Sequence, residues 1–507
     1  MEKQGHIRRR LVLVPFPFEG HLNPMLQLGA ILHSKGFSIT VAHTKFNSPD
    51  TSSHPDLVFL PLSDGLSSTP KASEDFVDFI PKLNLHSRAP LQEVLTQIIQ
   101  KQQQHEELPC IIYDAAMYCA EAVAHHLMLP SIILYTGTAT NLLAYYAYPR
   151  LIDEGYIPAQ DPEELVPGLH PLRFKDLPVL NFRNLDALLQ LTATSRNMGT
   201  SSAIIRNSLY CLEQSSVAQF QRQYQVPVFP VGPMHKIAPT SSNSVLKEDA
   251  GSITWLGTSS AIIWNSMYCL EQSSLTQFQQ QYQVPVFPVG PMHKIAPTSS
   301  SSLLKEDSSC ITWLDKQTHN SVIYVSLGSI ASMDEKELPE MAWGLANSKQ
   351  PFLWVLRPDS VHGSGCTDLL PNGFNETIGE KGCIVKWAPQ KEVLAHSAVG
   401  GFWSHCGWNS TLESISEGVP IISRPSFGDQ RVNARYVSGV WKIGFEFENP
   451  LERGKIAKAI RRLMVEKEGE EMRQRALDLK VNAELGIKKG GSSYNSLNEL
   501  VELIMSV

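Results

Sequence analysis

Apolar and polar positions alternate in blocks along the second half of the chain. Short apolar runs lie at residues 382–387, 398–404 and 419–423, each contains Gly or Pro, and stretches with helical periodicity separate and follow them. Two earlier runs, at 323–329 and 352–357, belong to the same series. Short apolar runs that alternate with helical patterns are typical of βαβ units, so this half of the chain predicts a parallel sheet.

The first half of the chain repeats this pattern. A helix is predicted at about residues 23–34, and the apolar runs around it predict strands at 11–15, 37–44, 110–116 and 131–136. The chain is therefore predicted to be an α/β protein with two doubly wound, Rossmann-like domains.

Aromatic and polar residues follow three strands of the second series, where ligands bind in such sheets. They are Trp387, Gln390, His405, Asn409, Ser410, Asp429 and Gln430. An aromatic face suits a heterocyclic base, a helix start attracts phosphate, and an acid beside an amide suits sugar hydroxyls. The small residues Gly328 and Ser329 end another strand and allow a close approach to a diphosphate.

A structural reading of the same residues remains open. Ser410 to Glu413 also matches a capping box, which would use both side chains to start a helix. A single Trp or His is more often part of the core or the surface than a ligand contact. The ordered combination of all these residues favours a binding site.

Residues 387–430 run without a gap along a pattern that closely resembles the nucleotide-sugar box of plant family-1 UDP-glycosyltransferases. The resemblance implies that Trp387 stacks on uracil, Gln390 contacts the nucleoside and Glu413 holds the ribose. Ala388 lies in the same donor-binding segment.

The resemblance also assigns the rest of the donor. The diphosphate would contact His405, Asn409 and Ser410, and the sugar would be surrounded by Trp408, Asp429 and Gln430. A final Gln in the box is typical of members that use UDP-glucose.

His21 and Asp114 both lie at carboxyl ends of strands in the first predicted sheet. A His that takes a proton needs an acceptor on its other ring nitrogen, usually a carboxylate. The same family places its catalytic His and Asp in sequence contexts that residues 16–24 and 113–124 resemble. The resemblance therefore implies that His21 is a general base supported by Asp114, and that Thr136 reaches the 6-hydroxyl of the sugar.

The composition of the chain argues against several classes of function. The 507 residues carry a net charge of −7 without a basic patch, which argues against nucleic acid as a partner. The eight cysteines show no C-x-x-C spacing, which favours reduced thiols in the cytoplasm over disulfides or a zinc site. No apolar run approaches the roughly 20 residues of a membrane span. The absence of G-x-G-x-x-G argues against a dehydrogenase.

An internal repeat interrupts this arrangement. Residues 201–258 and 259–316 are identical at 46 of 58 positions, and two copies cannot fill one place in a sheet. Trp264 in the second copy replaces Arg206 of the first, and a buried strand resists an unpaired Arg. We therefore expect the second copy to fill the sheet and residues 201–258 to be extra.

The resemblance implies the GT-B fold, in which two such domains face each other across a cleft, here with an extra repeat copy. The acceptor-binding domain would span residues 1–290 and the UDP-sugar-binding domain residues 291–485. The last helix, in residues 486–507, would pack back on the first domain. By the resemblance, residues 139–199 shape the acceptor pocket, and the Leu and Tyr side chains there either line it or form helix core.

The implied activity is inverting transfer of glucose from UDP-glucose to a hydroxyl, carboxyl or hydroxamate group of a small hydrophobic plant metabolite. UDP-glucose would be a co-substrate, and we expect a monomer that needs no cofactor or metal. The alternative is a catalytically weak or inactive protein that binds a nucleotide sugar or another small molecule, because the duplication disturbs the fold.

Overall fold

The computed structural model describes most of the chain in separate ranges. They are residues 8–63, 76–101, 106–178, 203–206, 228–230, 262–264, 286–288, 305–329, 333–357, 360–361, 370–447 and 449–506.

The first sheet has seven parallel strands. They are β1 (Arg8–Val14), β2 (Ser38–Thr44), β3 (Val58–Leu62), β4 (Glu106–Asp114), β5 (Ser131–Tyr135), β6 (Ala203–Arg206) and β7 (Val228–Pro230). Their order across the sheet is β3-β2-β1-β4-β5-β6-β7. The helices that follow its strands are α1 (Glu19–Ser34), α2 (Phe76–Gln100), α3 (Cys119–His126) and α4 (Ala139–Asp153).

Strand β1 shows why this sheet is covered on both faces. Leu11 and Leu13 pack in one hydrophobic cluster, whereas Val12 and Val14 pack in another, as the two-residue period of a strand requires. A strand buried on both faces is a continuous apolar run in the sequence.

The second sheet has six parallel strands. They are β10 (Val322–Ser326), β11 (Phe352–Val355), β12 (Gly382–Val385), β13 (Val399–Ser404), β14 (Ile421–Ser423) and β15 (Gly444–Glu446). Their order across the sheet is β12-β11-β10-β13-β14-β15. The α-helices described from residue 305 onwards are α5 (Ser309–Leu314), α6 (Glu337–Ser348), α7 (Phe374–Ile378), α8 (Gln390–Ala395), α9 (Trp408–Glu417), α10 (Asp429–Arg435), α11 (Arg453–Met464), α12 (Lys467–Ile487) and α13 (Ser492–Ser506). The predicted α/β fold with two parallel sheets is confirmed.

The two copies of the repeat occupy different places. The first copy supplies β6 and β7, and β6 pairs with β5. The second copy supplies β8 (Ile262–Trp264) and β9 (Val286–Pro288), which form a two-stranded sheet of their own. The structure thus corrects the expectation that the second copy fills the large sheet. Arg206 does not prevent this pairing, because it is the last residue of β6 and the strand interior remains apolar.

Helix α10 joins the second domain to the first. Tyr436, directly after α10, packs in a hydrophobic cluster of the first domain, and its hydroxyl accepts a 3.0 Å hydrogen bond from Thr140. Arg435 Nε donates to the Pro171 carbonyl at 3.0 Å and lies 3.6 Å from Asp176. The carboxyl end of α10 is therefore held by the first domain.

Helix α13 packs on the first sheet. Leu497, Leu500 and Ile504 belong to the same hydrophobic cluster as Leu11 of β1. Arg9 donates to the carbonyl of Met505 at 2.5 Å, where a cation is favourable at a helix carboxyl end. Among the helices that the structure describes, none has the length and apolar character to cross a bilayer.

Gly444 in β15 provides a test of the strand order. A Cβ at this position would overlap the backbone carbonyl of Ile421 in β14, which cannot move aside as a flexible side chain can. We expect Gly444→Ala to lower the free energy of unfolding in urea by about 1–3 kcal/mol, the usual cost of overpacking.

Gly454 is the matched control, since it is exposed in the first turn of α11 and a methyl group added there would meet nothing within 4 Å. Gly454→Ala should leave the unfolding free energy unchanged or raise it by up to about 1 kcal/mol. Equal effects of the two substitutions would contradict the pairing of β14 with β15.

Candidate active site between the two domains

His21 and Asp114 meet at the carboxyl edge of the first sheet. Asp114 is the last residue of β4, and His21 lies in the first turn of α1, which follows the neighbouring strand β1. The Nδ1 atom of His21 is 2.9 Å from Oδ2 of Asp114. The Asp114 side chain is 1% exposed and that of His21 is 36% exposed, so the base faces solvent while its partner is buried.

The carboxylate determines how the imidazole is protonated. With Nδ1–H donated to Asp114, the lone pair of a neutral His21 lies on Nε2. Burial disfavours the charged imidazole, but the charge and hydrogen bond of Asp114, with a contribution from Asp429, raise the pKa of His21 above its ordinary value. The ring is therefore prepared to accept a proton.

Helix α1 starts four residues earlier than the sequence predicts, and His21 is helical instead of being in a loop. Pro24 lies inside this helix and has no N–H to donate to the Gly20 carbonyl four residues before it. That carbonyl instead accepts a 3.0 Å hydrogen bond from Asn409 Nδ2, on the first turn of α9. The bond connects the start of α9 to the turn that carries His21.

A polar network lies at the start of α8 in the second domain. Gln390 Nε2 donates to Glu413 Oε2 at 2.7 Å and to Ser410 Oγ at 3.0 Å, and Tyr324 donates to Gln390 Oε1 at 3.2 Å. Helix α9 begins at Trp408 and Gly407 gives it no side-chain cap. Ser410 and Glu413 therefore do not form the capping box that the sequence allows, and their side chains converge on Gln390.

Trp387 and Ala388 lie between β12 and α8. Ala388 is 4% exposed and belongs to the hydrophobic cluster under this edge. Trp387 is half-buried and packs against the same cluster, and its backbone carbonyl accepts a 2.9 Å hydrogen bond from Asp307. Part of the indole remains open to a ligand.

His405 follows β13 and is enclosed by two glycines. A Cβ on Gly328 or Gly407 would come within about 2.6 Å or 2.5 Å of its ring, and Gly328 also has a φ of +79°. Burial lowers the pKa of His405 to about 4; Arg357 adds to this shift and the Ser326 backbone opposes it. The ring is neutral near pH 7.

The Nδ1 atom of His405 is buried and has no hydrogen-bond partner within the described part of the chain. A buried ring nitrogen without a partner in the protein fits a polar ligand group near the start of α9. Ser329 follows Gly328 at the same edge and is half-buried. This combination of features fits an anionic ligand.

Asp429 and Gln430 begin α10. Gln430 Oε1 accepts a 2.8 Å hydrogen bond from Ser426 N, so its amide nitrogen is left to donate. Asp429 Oδ2 accepts a 3.0 Å bond from Asn433, and its charge acts on His21 across the domain boundary. Burial raises the pKa of Asp429, although the Asn433 bond and His21 oppose the shift.

The indole of Trp408 is 3% exposed and packs 6.3 Å from the ring of Trp441. Its side chain lies in the hydrophobic core of the second domain, and its backbone N–H interacts with Asp429. The structure thus brings the other predicted donor residues of the second domain to the carboxyl edge of its sheet, whereas the ring of Trp408 lies in the core and Thr136 lies in the first domain beside His21.

Similar proteins identify the family of this chain. Residues 275–476 match the family described as UDP-glucoronosyl and UDP-glucosyl transferase. UDP-glycosyltransferase 76E1 of Solanum lycopersicum is 43% identical over 99% of this chain and 93% of its own length. The chain belongs to the plant family-1 UDP-glycosyltransferases.

Two further similarities support the assignment. Flavonol 3-O-glucosyltransferase UGT76E12 of Arabidopsis thaliana is 43% identical over 99% of this chain and 98% of its own length. The structure of Phytolacca americana UGT2 complexed with UDP-2fluoro-glucose and pterostilbene has a TM-score of 0.74 at 26% identity, covering 99% of this chain and all of that one. This UDP-glycosyltransferase therefore has the GT-B fold and transfers a sugar from a UDP-sugar co-substrate to a small plant metabolite.

Asn84 of α2 is a residue of this UDP-glycosyltransferase that the sequence did not reveal. Its Nδ2 donates to Ala116 O at 2.8 Å, and its Oδ1 accepts from Cys119 N at 2.8 Å. Ala116 N in turn donates to Asp114 Oδ1 at 2.9 Å. Asn84 thus fixes the turn that orients Asp114. The sequence signal available was a polar Asn between Leu83 and Leu85, and the structure shows it to be 2% exposed.

The described ranges contain no group of three His, Cys, Asp or Glu side chains that could hold a metal ion. The cysteines within those ranges are free thiols at Cys110, Cys119, Cys310, Cys383 and Cys406. Among the Leu and Tyr side chains expected either to line the acceptor pocket or to form helix core are Leu142, Leu143, Tyr145 and Tyr146. Of these four, Tyr145 is the one whose side chain is described, and it is half-buried against the core.

The low pKa of His405 predicts a pH-dependent stability. An unfolded His takes up a proton below about pH 6.5, whereas folded His405 does so only near pH 4. Its contribution to stability is therefore complete above about pH 6.5 and is lost as the pH falls towards 4. From pH 7 to pH 5 the wild type should lose about 1–2 kcal/mol more unfolding free energy than His405→Gln.

Urea unfolding of both proteins at several pH values measures this difference. Other groups titrate in both proteins, so their effects cancel when the two unfolding free energies are subtracted. A difference between wild type and His405→Gln that is constant with pH would show that His405 is not buried as a neutral ring.

Proposed function

We propose that this enzyme transfers glucose from UDP-glucose to a hydroxyl group of a small hydrophobic plant metabolite with inversion, using His21 as the general base. The observation that carries the proposal is the 2.9 Å contact between His21 Nδ1 and buried Asp114, in a turn whose Gly20 carbonyl accepts a 3.0 Å hydrogen bond from Asn409 of the opposite domain. This contact supports a base and a donor site that face the same cleft.

The reaction is a single displacement. Nε2 of His21 takes the hydroxyl proton as the acceptor oxygen attacks the anomeric carbon of glucose. The bond from that carbon to the β-phosphate oxygen breaks, and UDP leaves with the electron pair. Asp114 stabilises the imidazolium without taking its proton. Attack opposite the leaving group turns an α-linked donor into a β-glucoside.

We assign the nucleoside to the network around Gln390. Trp387 stacks on uracil, Gln390 contacts the nucleoside, and Glu413 accepts hydrogen bonds from the ribose hydroxyls. The support is the convergence of Gln390 and Glu413 at 2.7 Å beside a half-buried indole. Ala388 contributes backbone at the same place.

The diphosphate lies at the start of α9. His405 presents its unpartnered Nδ1 there, Ser410, Asn409 and Ser329 add polar groups, and the helix amino end adds a partial positive charge. These donors stabilise the charge that develops on UDP in the transition state. Asp429 and Gln430 bind the glucose hydroxyls.

A phenolic acceptor is favoured. A relative at 43% identity is named as a flavonol 3-O-glucosyltransferase, and a related structure contains pterostilbene. Here the Phe16 ring lies edge-on to His21, with centroids 5.0 Å apart, and packs near Phe18 and Phe79. Phe16 and Phe79 are buried, so the half-buried ring of Phe18 is the member of this group that can meet a flat aromatic acceptor next to the base.

His21→Ala tests the assignment of the base. Loss of the base should lower kcat by about 10²- to 10⁴-fold with a flavonol acceptor, whereas the affinity for UDP measured by calorimetry should be unchanged. Product formation is followed by mass spectrometry with UDP-glucose.

His126→Ala is the control, because His126 is exposed on α3 and should be dispensable. Wild-type turnover by His21→Ala would refute the mechanism. If the wild type binds UDP-glucose but releases no UDP when an acceptor is added, the chain is a binding protein instead of an enzyme.

Glu413→Ala tests the ribose contact. Removal of a charged hydrogen-bond acceptor should raise the KM for UDP-glucose by about 10- to 100-fold. Glu417→Ala, one turn further along α9, breaks a pair with Lys480 and should leave that KM unchanged. The ribose assignment fails if both variants have the wild-type KM.

A further inference from the structure

Two oxygen atoms approach the same nitrogen of His21. Besides Asp114 Oδ2, the hydroxyl oxygen of Thr136 lies 2.9 Å from Nδ1. Thr136 is 6% exposed and directly follows β5, the neighbour of β4 in the sheet. The three side chains thus come from the carboxyl ends of adjacent strands, and Nδ1 has only one proton for both oxygens.

The chemistry decides which group takes that proton. A carboxylate is the stronger acceptor, so Nδ1–H points to Asp114, and the Thr136 oxygen can act as a second acceptor on the same N–H. A bond to a single acceptor leaves the ring free to swing about it, whereas two acceptors fix the ring plane. A β-branched side chain is suited to this task because its χ1 angle is restricted.

The next residues of the loop keep Thr136 in place. Thr138 caps α4, where its hydroxyl accepts a 3.0 Å hydrogen bond from Asn141 N. Thr140 on the same helix donates to Tyr436 of the second domain. The position of the Thr136 hydroxyl is thus determined by the sheet on one side and by α4 on the other.

We propose that Thr136 is a positioning residue for His21, whose hydroxyl holds the Nδ1 edge of the imidazole so that Nε2 points into the cleft. This role differs from the contact with the sugar 6-hydroxyl that the family resemblance implies. It rests on the proposed function, since it assumes that His21 is the base.

Removal of the Thr136 hydroxyl oxygen should change the pKa of His21 in a defined direction. The charged groups that act on His21 are Asp114 of β4 and Asp429 of α10. The Thr136 oxygen adds a neutral acceptor that favours the imidazolium, so its removal should move the acid limb of the kcat/KM profile to lower pH.

Thr136→Val and Thr136→Ser form the matched pair, since Val keeps the shape and Ser keeps the hydroxyl. With UDP-glucose and a flavonol, Thr136→Val should lower kcat about fivefold to tenfold and shift the acid limb. Thr136→Ser should stay within about twofold of the wild type in kcat. The affinity of both variants for UDP-glucose, measured by calorimetry without acceptor, should equal that of the wild type and shows that they are folded.

Three results would overturn the proposal. Weaker UDP-glucose binding by Thr136→Val with an unshifted pH profile would assign the hydroxyl to the sugar. Equal losses in the Val and Ser variants would indicate a packing role. If Thr136→Val has the kcat and pH profile of the wild type while His21→Ala is inactive, this inference is refuted and the proposed function remains.

If Thr136→Val does not fold, Thr136→Ala takes its place in the same measurements. Its expected result is the same loss of kcat and the same shift, because it also lacks the hydroxyl.

Discussion

Helix α10 connects the two halves of the site. Its amino end carries Asp429 of the proposed sugar site, and its carboxyl end is bound to the first domain, which carries His21. Asp429 at its start acts on His21, and Arg435 at its end is bound to Pro171 and Asp176 of the first domain. A helix of seven residues is rigid, so docking one end determines the position of the other. The distance between the proposed base and the proposed sugar site therefore depends on packing outside the cleft.

Two histidines in the cleft have opposite electrostatic environments. His21 lies near two carboxylates and has a raised pKa, whereas burial beside Arg357 keeps His405 neutral. Such separation of pKa values suits one imidazole to accept a proton while the other stays uncharged. Two identical side chains thus differ in their affinity for a proton because of the groups around them.

The sequence was most informative where a function depends on strand order. The residues after β1 and β4 could be placed together because parallel strands end at one edge, and the residues after β12, β13 and β14 likewise. Contacts between elements far apart in sequence had no such signal. Neither the Asn84 bonds to the turn after Asp114 nor the buried position of the Trp408 ring follows from periodicity. The repeat was misjudged because Arg206 was assumed to lie within a strand instead of at its end.

The glycines around His405 limit how this enzyme can change. Any side chain at residue 328 or 407 would collide with the imidazole, so this part of the cleft has almost no room for substitution. The first domain, in contrast, places the rings of Phe16 and Phe18 near His21, and side chains of similar volume can replace such rings. Under the proposed function, selection or engineering for new products would therefore act mainly on the first domain, while the surroundings of His405 stay constant.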